Sequence, residues 1–144
     1  MSTSSVPTLK AHLASALQAR AAFSSVQVTY GAPIPNPARE YVWLADVEGD
    51  EEPAALGRNR HSEIYFLTVI IQAIREGVDQ QAATERAYSF RDEIDTQLRS
   101  DITVAGALGS GWAYIGGHFK LEELASDAQR GALLTITVAC EART

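Results

Sequence analysis

The sequence predicts a small α+β domain, in which two helices pack with a small, mostly antiparallel sheet of about four to five strands in the order α-β-β-β-α-β-β. Three observations carry this reading. The closing stretch alternates Ala132, Leu134, Ile136, Val138, Cys140 and Ala142 with Leu133, Thr135, Thr137, Ala139, Glu141 and Arg143. A period of two with one wholly apolar row is a strand laid on a core. The stretch from about Ser62 to Ile74 is apolar in both rows, with Ile64, Phe66, Ile70 and Ile74 in one and Tyr65, Leu67, Val69, Ile71 and Ala73 in the other. Such a strand belongs between two layers. Between these two strands, Ala83, Ala87, Phe90, Ile94 and Leu98 fall on one stripe of a helix.

The remaining elements follow in order. Residues from about Thr8 to Ala22 read as the first helix, because Leu9, Leu13 and Leu17 share one face and alanine fills much of the rest, with Pro7 at or just before the first turn. Val26, Val28 and Tyr30 alternate with Ser25, Gln27 and Thr29 as a short strand. The stretch Gly31-Ala-Pro-Ile-Pro-Asn-Pro removes backbone donors and ends that strand in a stiff loop. Tyr41 to Val47 reads as a second strand. It runs into Asp46-Val-Glu-Gly-Asp-Glu-Glu-Pro, where crowded carboxylates and the breakers Gly49 and Pro53 predict an exposed, flexible acidic loop over about 46–60. Asp79 is placed to cap the second helix, which continues to about Ser100. Asp95 and Arg99 have the spacing for a direct helical contact, and Glu85 and Arg91 do not. Gly106, Gly109, Gly111, Gly116 and Gly117 break up Val104 to Phe119, which predicts tight bends and a bulge in the strand that begins near Trp112.

A chain of 144 residues with 46% hydrophobic content matches one domain, 1–144, with a buried core. No apolar run reaches the roughly 18 residues of a membrane span. Met1-Ser-Thr-Ser-Ser lacks the charged and apolar regions of a secretory signal, so a soluble protein made in a cytoplasm, with no membrane partner, is expected. The net charge of -6 argues against specific nucleic-acid binding, where Lys and Arg neutralise phosphates. Cys140 is the single cysteine, which excludes an intramolecular disulfide and a cysteine-based metal site. Its place in the apolar row makes it a packing residue rather than a reactive thiol.

No constellation supports catalysis. Gly106-Ala-Leu-Gly-Ser-Gly has the look of a phosphate loop but lacks the Gly-Lys-Ser/Thr ending, and a strand rather than a helix N-terminus follows it. Asp46, Glu48, Asp50, Glu51 and Glu52 depart from the spacing of a calcium loop. His12, His61 and His118 fall in different elements without a metal-binding pattern, and His61 joins Arg58 and Arg60 in a small basic patch. No Gly-x-Ser-x-Gly elbow presents a nucleophile. The expectation is a protein that is not an enzyme and that carries no catalytic residue, cofactor or metal. Surface contacts remain. The doubly apolar strand needs a cover on each side, either one helix per face or a neighbouring subunit. Tyr65, Leu67, Val69 and Ile71, together with Trp43 and Trp112, are the candidate residues for contact with another copy or a partner.

The layout resembles the tail terminator proteins of long-tailed bacteriophages and related tail-completion and neck proteins. The resemblance spans nearly the whole chain: a helix ahead of Val26-Gln-Val-Thr-Tyr, the strand Glu63-Ile-Tyr-Phe-Leu-Thr-Val-Ile-Ile, the helix from Ala82 to Arg99 with a short Asp101-Ile-Thr turn behind it, and a final strand leading to Cys140-Glu-Ala-Arg. It implies a structural virion protein at the head-proximal end of the tail, assembled in the cytoplasm of a bacterial host. It further implies a ring, six-fold in this family, that meets the major tail tube protein on one side and a neck or head-completion protein on the other, and stops tube polymerisation. In that setting Asp46, Glu48, Asp50, Glu51 and Glu52 are candidates to line the lumen, where negative charge would not grip passing DNA. Two alternatives stand beside it. One is a head-tail connector or stopper of the neck. The other is a small ligand-binding domain with a pocket between the sheet and the second helix near Tyr114, His118 and Trp43.

Overall fold

The computed structural model describes residues 4–32, 39–53 and 61–143. Its elements are helix α1 (Val6–Gln18), a single 3₁₀ turn (Ala21–Phe23), strands β1 (Gln27–Thr29), β2 (Tyr41–Pro53) and β3 (His61–Glu76), helix α2 (Gln80–Ser100), and strands β4 (Trp112–Ile115), β5 (Lys120–Ala125) and β6 (Gln129–Arg143). The α+β class stands, with one strand more than expected. The strands form one mixed sheet in the order β1-β2-β3-β6-β4, and β5 also pairs with β6. Among the described strands only β1 with β2 is a parallel pair.

The two long central strands match their patterns. β3 and β6 pair over all of β6, from Ser62 opposite Arg143 to Glu76 opposite Gln129. This puts Tyr65 beside Cys140, Leu67 beside Val138, Val69 beside Ile136 and Ile71 beside Leu134, all buried. β2 adds Val42 beside Ile71 and Leu44 beside Val69. Ala45 and Asp46 then stand together opposite Thr68, a bulge that shifts the phase and returns Val47 to the core side beside Leu67.

Both helices cover this one face. Leu9, Leu13 and Leu17 of α1 and Ala83, Ala87, Phe90, Ile94 and Leu98 of α2 join the same buried cluster as the odd-numbered residues of β3. α1 sits over β1 and β2, and α2 over β3, β6 and β4. The alternative of one helix on each face is therefore corrected. As expected, Asp79 caps α2 by accepting from the Ala82 N–H at 3.1 Å, and Arg99 donates to Asp95 at 2.9 Å.

Two strands differ from expectation. The acidic segment is an ordered strand through Pro53: Glu48 pairs with Phe66, Asp50 with Ile64 and Glu52 with Ser62. Pairing with β3 overrides the poor strand propensity of this charged run. Gly49 also permits a close backbone approach, because a Cβ there would collide with the Ile64 carbonyl and with Tyr65. The rest of the expected acidic loop with Arg58 and Arg60 of the basic patch (54–60) and most of the proline-rich loop (33–38) lie outside the described residues. β5 is the other difference. Leu121-Glu-Glu-Leu-Ala are good helix formers, yet they zip along the free edge of β6 from Leu134 to Arg130. β4 holds the same edge further on, opposite residues 138–141. Between them the four residues 116–119 face only Ile136 and Thr137, so the glycine-rich connector makes the expected bulge. Gly117 has φ +105°, a conformation that side chains disfavour.

Candidate functional site

With both helices on one side, the other side of the sheet is uncovered by any described element. The apolar side chains that β3 turns outward are Ile64 and Phe66, 54% and 48% exposed, and the partly buried Ile70 and Ile74, with the polar Ser62, Thr68 and Gln72 between and beside them. The pairing registers set their neighbours. Glu48, Phe66, Ala139 and Tyr114 form one row across β2, β3, β6 and β4, and Asp50, Ile64, Glu141 and Trp112 form the next. Ile64, Phe66, Trp112 and Tyr114 line a shallow depression of about 80 Å³. Tyr114 is 54% exposed and Trp112 38%. Trp43 continues this face beside Ile70.

Four of the candidate interface residues lie elsewhere. Tyr65, Leu67, Val69 and Ile71 are at most 3% exposed. They are covered by α1 and α2 of their own chain, so the apolar row available to a partner is the opposite one. Trp43 and Trp112 do lie on the open face. The sequence showed two apolar rows in β3 without showing which one the helices take.

The carboxylates divide by the same alternation. Glu48, Asp50 and Glu52 stand on the open face beside Phe66, Ile64 and Ser62, exposed and without an ion-pair partner among the described residues. Glu51 is opposite Glu63 on the other side, and Asp46 sits in the bulge. Glu141 is held by Arg143, whose Nε and Nη2 donate at 2.9 and 2.6 Å. The Arg143 guanidinium also lies 5.5 Å from the centre of the Trp112 ring and restrains it.

Glu63 is a functional position for the fold that sequence reasoning missed. It is 5% exposed and accepts from the Ser5 N–H and from Ser4 Oγ, both at 2.7 Å. Ser5 precedes the first turn of α1, so the carboxylate meets the positive end of that helix. Ser5 Oγ also bonds the Tyr65 hydroxyl at 2.9 Å. The available signal was a carboxylate in the apolar row of Tyr65, Leu67 and Val69, because a buried charge requires partners. Burial raises the Tyr65 hydroxyl far above its ordinary range and pushes the Cys140 thiol up to about 12. Cys140 is thus a packing group in its strand, poorly available as a thiolate.

A second concavity lies on the covered side, between α2 and the bulge of the edge strand. It is a cavity of about 260 Å³ lined by Tyr88, Arg91, His118, Phe119, Leu134 and Ile136 among others. Of the three residues expected around a pocket, His118 borders it, whereas Tyr114 and Trp43 lie on the open face. His12 is exposed on α1, far along the sequence from His118 in the bulge, and no three His, Cys, Asp or Glu side chains gather as metal ligands among the described residues. The glycines from Gly106 lead through turns into β4. No described helix is long and apolar enough to cross a membrane.

No protein-family model matches the chain, and no curated protein matches it in sequence. In structure it is similar to a chain from the virion of native gene transfer agent (GTA) particle, with a TM-score of 0.56 and 16% sequence identity, over 92% of this chain and 93% of that one. At that identity the likeness is one of fold, and it extends over almost the full length of both chains.

Proposed function

We propose that this chain is a structural protein of a phage-like virion and, within that class, a tail terminator that caps the head-proximal end of the tail tube. The observation that carries the reading is the uncovered sheet face, where Ile64, Phe66, Trp112 and Tyr114 stand in adjoining rows without any covering layer. Contiguous apolar surface of this kind marks a contact with another protein, since leaving it wet forfeits about 25 cal/mol for each square ångström. The virion chain of the same fold supports placing that contact in a particle.

In this reading copies of the chain close a ring at the end of the tube, six-fold as in the family that the sequence resembles. A closed ring needs two different patches on each subunit, and the rotation between them sets the copy number. The open face meets the neighbouring copy or the last ring of tube protein. The opposite rim joins the neck or head-completion protein. Capping is steric: once the terminator occupies the tube end, no equivalent surface is offered to another tube ring. The reaction is assembly, with no bond made or broken, and the role is not that of an enzyme. Of the five carboxylates proposed for the lumen, Asp46, Glu48, Asp50, Glu51 and Glu52, the three at the border of the apolar face are Glu48, Asp50 and Glu52, where they would repel the phosphates of passing DNA.

The test is electron microscopy of particles from a host in which this gene alone is disrupted. Overlong tails without heads are expected. Tails of normal length beside unattached heads would move the protein to the neck, and intact particles would remove it from assembly.

A further inference from the structure

The cavity between α2 and the edge-strand bulge is independent of the open face and calls for its own occupant. Its size bounds what enters. At about 260 Å³ it is smaller than the roughly 300–1,000 Å³ of sites that hold a whole ligand, yet larger than the roughly 150 Å³ that encloses a benzene ring. One aromatic or branched side chain with a short polar group fits. Its walls are apolar, from Tyr88, Phe119, Leu134 and Ile136. Its charge is exceptional for this molecule. In a chain with 18 acidic and 12 basic residues, no carboxylate among the described residues lines the cavity, whereas the Arg91 guanidinium and the His118 imidazole do. Among the described residues Arg91 pairs only with its neighbour Asp92, at 3.4 Å.

The bulge adds backbone donors. Gly116 N–H is used by the Thr137 carbonyl at 3.0 Å, and the His118 carbonyl is used by Thr137 Oγ1 at 2.6 Å. These two bonds fix the bulge from both sides. The N–H groups of Gly117 and His118 donate to no backbone carbonyl among the described residues. Consecutive N–H groups in a turn around a positive-φ glycine are suited to an anion.

We propose that this pocket captures the C-terminal residue of a partner protein, taking its aromatic or leucine side chain between α2 and β6 and its α-carboxylate against Arg91 and the N–H groups of the bulge. Terminal-carboxylate capture by backbone donors is an established mode of peptide recognition. A chain terminus suits a pocket too small for a free cofactor and open on one side, through which the rest of the partner leaves.

The probe is the pentapeptide Gly-Ser-Gly-Ser-Phe with a free carboxylate, titrated into the isotope-labelled full chain and followed by amide NMR. Saturable shifts at Gly116, Gly117, His118 and Phe119 are expected, with affinity at least about tenfold above that of the C-terminal amide, since a charge-assisted hydrogen bond is lost in the amide. The same peptide ending in alanine should fail to saturate. Arg91→Gln, a helix-surface change that leaves the fold intact, should abolish the preference of acid over amide while retaining weak binding of the ring. Equal binding of acid and amide, or no saturable shift in the bulge, would overturn the proposal. Tighter binding of free 3-phenylpropionate than of the peptide would also overturn it, in favour of a small-molecule acid. None of these outcomes depends on the role in tail assembly.

Discussion

Leu67 and Phe66 are neighbours in β3, and the difference between them separates what holds this molecule together from what it offers to others. Leu67 is fully buried between the sheet and the helices, beside Val138 and Val47. Phe66 is 48% exposed on the other side, beside Glu48 and Ala139. One residue of register separates a core side chain from a contact side chain, because side chains alternate across a sheet. Both rows are greasy, but only one has helices over it. An apolar row that the fold itself does not use is the strongest indication of a partner in the chain.

Truncating the covered row should have the largest effect. Leu67→Ala should cost about 2–5 kcal/mol in urea unfolding, from lost burial and the cavity left behind. Phe66→Ala should cost about 1 kcal/mol or less in the same experiment, because half of the ring is already in water. Equal losses would mean that the two faces are not distinguished as described.

Next in size is the attachment of α1 to the covered face. Glu63→Ala removes the acceptor of the Ser5 N–H and of Ser4 Oγ in a site only 5% exposed. A loss of about 1–3 kcal/mol is expected, the cost of leaving a buried donor unmade. Hydrogen exchange should show the first turn of α1 opening before the sheet does.

The two faces should also differ in the reactivity of single thiols. Cys140 lies in the covered row with its pKa raised by burial to about 12. It should resist iodoacetamide at pH 8 until the protein unfolds, as read by mass spectrometry. Ile64→Cys, on the open face in a Cys140→Ala background, should react at the rate of a free thiol. The sign for stability follows from the same shift. The folded state holds the Cys140 proton more tightly than the unfolded chain, so its contribution is complete below about pH 9 and is lost as pH rises toward 12. Tyr65 shifts in the same direction, also through burial. Alkaline unfolding should therefore be less steep in Cys140→Ala.

The smallest effect on stability is expected at the acidic border. Replacing Glu48, Asp50 and Glu52 together by Gln, Asn and Gln should change unfolding free energy by about 0.5 kcal/mol or less, since all three are exposed and lack ion-pair partners among the described residues. Its expected consequence is functional: slower DNA exit from particles, measured as ejection kinetics.

The elements governed by burial were legible in the sequence. β6 was visible from its single apolar row, α2 from the stripe of Ala83 to Leu98 and the cap at Asp79, and the doubly apolar β3 from its two rows. Elements governed by pairing were not. The acidic run from Glu48 to Glu52 and the helix-forming Leu121 to Ala125 become strands because β3 and β6 offer them hydrogen-bonding edges, a long-range cause that no local pattern encodes. The candidate face was half legible for the same reason. Alternation sorted Ile64 and Phe66 from Tyr65 and Leu67, and Trp43 and Trp112 fall on the open side, but both helices choosing one face is a tertiary decision. The Glu63 contact with Ser4 and Ser5 joins residues nearly sixty positions apart and could be flagged only as a charge in an apolar row.

We propose the open face as the assembly face of a virion protein. The most direct measurement pairs thermal unfolding of the Phe66→Ser, Tyr114→Ser double variant with electron microscopy of particles made with that variant as the sole source of the protein. A melting temperature within a few degrees of the unaltered chain is expected, together with overlong, headless tails. Normal particles built with the folded double variant would contradict it.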